Sequence, residues 1–73
     1  MKVEELARRR QEVLVKDLMS HLKVHQGIKL AIEQVEDVAE WRKAARIAGR
    51  RLHIPVRTGV TPDGLAVWAS EGP

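Results

Sequence analysis

Arg42, Arg46 and Arg50 recur at intervals of four, with Lys43 beside them and Arg51 and Arg57 following. No Asp or Glu occurs between Trp41 and Thr61. The planar guanidinium fork binds phosphate oxygens through two parallel hydrogen bonds, so a row of such groups suits a polyanion. The formal net charge of the chain is only +3, and the residues outside this block sum to about −3. Charge is therefore segregated along the sequence, and a local positive field of this kind most often meets nucleic acid. Arg8, Arg9 and Arg10 form a second cluster, but Glu4, Glu5 and Glu12 lie within helical pairing reach, so it reads as a solvated face.

Other chemistry is sparse. His21 and His25 stand four apart, a spacing that can direct two imidazoles at one ion, yet no Glu follows His21 and the chain has no Cys, so no metal site is predicted. Ser20 and Ser70 lack any nucleophile context, and Asp63 is explained by a turn. The acids Glu33, Glu36, Asp37 and Glu40 suit the start of a helix rather than paired acid–base work. The expectation is a protein with no catalytic residues, no cofactor and no small-molecule substrate.

The elements that must position these groups follow from periodicity. Residues 3–23 contain no Gly or Pro, are rich in good helix formers, and carry Leu14, Leu18 and Leu22 at spacings of four, which predicts a first helix stopped by Gly27. Residues 28–35 fit both a strand (Ile28, Leu30 and Ile32 alternating with Lys29, Ala31 and Glu33) and a helical set. The strand is preferred, because Asp37 followed by Glu40 has the form of a new helix start. Val38, Trp41, Ala45, Ala48 and Leu52 make one apolar stripe, predicting a second helix over 38–52 that ends at His53-Ile54-Pro55. On it Arg42, Arg46 and Arg50 stack along one exposed face, about 12 Å from first to last. Adjacent like charges at that spacing cost roughly 0.2–0.5 kcal/mol per pair, a penalty that a phosphate backbone would relieve.

Residues 56–70 read as a β-hairpin around Thr61-Pro62-Asp63-Gly64, with Pro and Gly where a type I turn wants them and a frayed tail over 71–73. Two registers compete. With a four-residue loop Arg57 faces Trp68 on the side away from the core, where the indole could stack a base. With Gly64 in a bulge, Thr61 faces Leu65 and Trp68 turns inward. The burial habit of tryptophan favours the second, and Trp41 belongs to the core in either.

The fold class is thus α+β: one small domain, order α-β-α-β-β, with a three-stranded sheet ending in a hairpin and packed by helices. The element order resembles that of small RNA-binding folds such as the C-terminal half of bacterial translation initiation factor three and the CRM domain. That likeness is one of topology; the short Gly-centred loop of CRM domains is missing, and no residue carries over. At 73 residues a chain buries about 60% of its unfolded surface and has little stability to spare, which points to a homodimer. The absence of Cys fits a reducing cytoplasm. The N-terminus has early acids and no long apolar run, so neither a signal peptide nor a membrane span is expected.

The function predicted is nucleic-acid binding, with Arg42, Lys43, Arg46, Arg50 and Arg57 on phosphates and Trp68 beside them. The alternative is a protein-interaction or self-association module using Leu14, Val15, Leu18, Met19 and Leu22 of the first helix.

Overall fold

The computed structural model describes residues 2–72, with side chains from residue 8 to residue 72. A long helix α1 (Lys2–His25) leads into strand β1 (Gly27–Ala31), a single 3₁₀ turn (Ile32–Gln34), helix α2 (Val38–Leu52), and strands β2 (Val56–Val60) and β3 (Ala66–Glu71). The sheet is antiparallel throughout, in the order β1-β3-β2, so the last strand lies at its centre. Both helices cover one face. Val15, Leu18 and Leu22 of α1 meet Trp41, Ala44, Ala45 and Ala48 of α2 over Val67 and Ala69 of β3, and all nine are buried.

Helix α2 begins and ends as its residues dictate. The Asp37 carboxylate accepts the Glu40 backbone N–H at 3.0 Å, an N-cap of the kind its spacing predicted. Its small residues let it lie close to its neighbours: a Cβ on Gly49 would come within 2.5 Å of Val56 Cγ2. At its C-terminus the Ile54 and His53 N–H groups bond back to the Gly49 and Arg50 carbonyls, with His53 left-handed at φ 58°.

Four expectations about local structure change. The first helix is stopped not by Gly27 but by Gln26, which takes the left-handed position at φ 60°. Gly27 instead opens β1 opposite Ser70, where a Cβ would stand 3.3 Å from Ser70 Cβ. The strand expected over 28–35 ends at Ala31, because Ala31 pairs with Ala66, the first residue of β3. One further cross-strand bond follows, from Ile32 N–H to Leu65 O at 2.9 Å, after which Leu65 enters the hairpin loop and the chain coils through the 3₁₀ turn toward Asp37 with Ile32 and Val35 packed on the core.

The hairpin adopts neither expected register. Thr61 N–H bonds Ala66 O, Gly59 faces Trp68 and Arg57 faces Ser70, with Pro62 to Leu65 as the loop. The predicted turn is present, since Gly64 N–H reaches Thr61 O at 2.8 Å, but Asp63 also accepts the Leu65 N–H and so adds Leu65 to the loop. This register differs by two residues from the four-residue-loop alternative, so the faces are the same and Val56, Val67 and Ala69 remain on the core side. The end of the chain is also better held than a frayed tail: Glu71 belongs to β3, its N–H bonds Gln26 O, and Gly72 N–H bonds Pro55 O. Pro73 lies outside the described residues.

Candidate nucleic-acid interface

At about 100° per residue, Arg46, Arg50 and Lys43 fall within an arc of about 60° on α2, turned away from Ala44, Ala45 and Ala48. All three are exposed. Among the described residues none of them has a carboxylate within ion-pair distance. Their neighbours differ. Arg51 is clasped by Glu12 of α1 through two hydrogen bonds of 2.7 and 2.9 Å. This contact holds the Glu12 carboxyl below its ordinary pKa and raises that of Arg51. Arg10 bonds Glu36 at 3.0 Å and approaches Glu40 at 3.7 Å. The acids of the chain thus neutralise cations where the two helices meet and leave the outer arc of α2 positive. The pairing expected of Glu4 and Glu5 lies outside the described side chains.

Arg42 does not stand in solvent with this ridge. It is half-buried, and its guanidinium donates to the Thr58 carbonyl at 3.2 Å. Strand β2 is a sheet edge with one row of unpaired backbone groups, and Arg42 braces that edge to α2. Its Nε is buried with no hydrogen-bond partner among the described residues.

Arg57 and Trp68 form a separate surface. They share the helix-free face of the sheet with Gly59, Ser70, Ala66, Gly27, Lys29 and Ala31, while the ridge of α2 points the other way. The preference for Trp68 in the core is therefore overturned: its neighbours Val67 and Ala69 fill the core, and alternation puts Trp68 outside. Arg57 is its diagonal neighbour across Gly59 rather than its direct partner. The residue directly opposite on β1 is Lys29, exposed, which was missed. The signal was present in the sequence, since Lys29 alternates with Ile28 and Leu30.

Within the apolar stripe of α1, Val15, Leu18 and Leu22 are 1%, 0% and 2% exposed, and Met19 packs beside them. Leu14 lines an open groove with Val13, Leu30, Val35 and Trp41. Val15, Leu18 and Leu22 thus serve this chain's own core, while Leu14 stays at the open groove. His21 and His25 lie with ring centroids 6.4 Å apart, and His21 Nε2 is 3.7 Å from Asp17. Among the described residues no group of three or more ligating side chains could hold a metal. No described helix is long and apolar enough to cross a membrane.

Comparison with protein-family models, with curated proteins and with solved structures found no match.

Proposed function

We propose that this chain binds nucleic acid, taking phosphates on Lys43, Arg46 and Arg50 of α2. The observation that carries this reading is the contrast between partnered and unpartnered cations. Arg10 and Arg51 are matched by Glu36 and Glu12, whereas the three residues of the outer arc, side by side and exposed, have no carboxylate within ion-pair distance among the described residues. Mutual repulsion within such an arc is relieved by an anion with regularly spaced charges.

The test is an anisotropy titration of labelled oligonucleotides at several salt concentrations. Affinity falls steeply as salt rises, and replacing Lys43, Arg46 and Arg50 by Gln lowers the slope of log K against log salt by about 2–3. Because these side chains are exposed, the triple variant keeps the parent's thermal unfolding. Arg42 is left in place, since a change there would release the β2 edge. Salt dependence unaltered in the triple variant refutes the ridge as the phosphate contact.

A further inference from the structure

We propose that the helix-free face of the sheet is a stacking platform for an unpaired base, so that the preferred ligand is single-stranded. This rests on the nucleic-acid reading but uses a surface on the opposite side of the sheet from the α2 ridge.

Three observations converge on this face. Trp68 sits at its centre, on the middle strand, half-buried rather than in the core. Its indole lies across β2 where the chain has no side chain: a Cβ on Gly59 would be 3.0 Å from Trp68 Cζ2, 3.2 Å from Cε2 and 3.3 Å from Nε1. The ring is thereby seated on backbone, and no helix covers its outer side. The flanking cations are Lys29, directly opposite on β1, and Arg57, diagonal on β2, both exposed. No strand position on this face is Asp or Glu; the remaining residues are Gly, Ala and Ser. At the rim Asp63 is within electrostatic reach of Lys29, and its carboxylate is engaged by the Thr61 hydroxyl and the Leu65 N–H.

An aromatic ring between two cations on a flat surface of small residues matches one nucleoside of a strand: the base on the indole, the phosphates on its 5′ and 3′ sides toward Lys29 and Arg57. A duplex keeps its bases stacked on each other and cannot present a free face, so the platform selects single strands. Base stacking is indifferent to sequence, so DNA and RNA strands are both expected to bind.

The experiment follows intrinsic tryptophan emission while a 12-nucleotide oligo(dT), a 12-nucleotide oligo(U) or a 12-base-pair duplex is added. Trp41 is 3% exposed and supplies a constant background. Both single strands quench the emission, the duplex does not, and Trp68→Leu removes the quench and weakens single-strand binding by about 5-fold to 150-fold. Trp68→Phe recovers part of that affinity. Gly59→Val, which displaces the ring while retaining it, weakens single-strand binding in the same direction. Single strands that bind the wild type without altering its emission overturn the proposal, and so does a folded Trp68→Leu variant with full affinity. Either result leaves the phosphate ridge standing if the duplex still binds through it. Absence of binding by all three probes overturns both readings together.

Discussion

Asp63 closes the hairpin with one carboxylate oxygen, accepting from the Thr61 hydroxyl and the Leu65 N–H at once. The Thr61 bond first, and then the backbone bond from Leu65, hold its pKa below the ordinary 3.8. Glu12 is held below its ordinary 4.5 by the paired hydrogen bonds from Arg51. Both carboxylates are thus more acidic folded than unfolded, and the stability they contribute is full above the ordinary carboxylate range. It is lost as pH falls from about 4.5 through the lowered folded values. Melting temperature is expected to drop across that window, and Asp63→Asn and Glu12→Gln each to flatten the drop when melting is followed by circular dichroism from pH 7 to pH 2.5. A pH profile unchanged in both variants contradicts this account. Residue-scale chemistry was only partly visible in the sequence. The turn role of Asp63 was legible from Thr61-Pro62-Asp63-Gly64, but its second acceptor bond was not. Arg42 shows the same limit, since helical spacing sets it in line with Arg46 and Arg50 and says nothing of the strand edge whose Thr58 carbonyl it meets.

Among the elements, α2 was the most legible, because capping and apolar stripe agree on the same span. Asp37 caps it, its predicted bounds of 38 and 52 hold, and only the mechanism of its end differs. Pro55 was expected to stop it, yet reversal occurs two residues earlier at His53, whose φ of 58° is a conformation that suits glycine better. His53→Gly is expected to raise stability by roughly 0.5–1 kcal/mol, the left-handed strain removed less the added freedom of the unfolded chain. Urea unfolding reads it as a higher midpoint at unchanged slope, and a lower midpoint contradicts the assignment of strain. The strands were less legible for a definite reason. Their faces follow from alternation, which is local, whereas register depends on partners distant in sequence. A slip of two residues preserves every face, so the pattern of Val56, Thr58, Val60, Val67 and Ala69 fits the observed pairing and one rejected alternative equally well. What selects between them is the Thr61, Asp63 and Leu65 network together with β1, which lays Ile28 and Leu30 against Ala69 and Val67. The length of β1 escaped sequence reasoning likewise, because Ala31 is its last residue only where β3 begins.

Across the whole molecule, the segregation of charge survived folding but divided. One block of cations in the sequence became a ridge on the outside of α2, a brace at Arg42, an interhelical pair at Arg51, and a contributor at Arg57 to the opposite face of the sheet. A linear pattern could reveal the excess of charge; its division needed the order of the strands. The apolar stripe of α1 presents the parallel question of whether it builds one chain or joins two. Leu18 is 0% exposed, enclosed within the single core. A chain of this length has a total stability of about 4–11 kcal/mol, and Leu→Ala at an enclosed site costs about 2–5 kcal/mol. Leu18→Ala is therefore expected to lower the melting temperature by roughly 10–40 °C, while Val24→Ala on the same helix, at a side chain 73% exposed, shifts it little. If the stripe serves only this chain, the wild-type melting temperature stays constant over a hundredfold range of protein concentration. A melting temperature that climbs with concentration instead places part of the stripe between copies, and a Leu18→Ala loss no larger than that of Val24→Ala removes Leu18 from the core altogether.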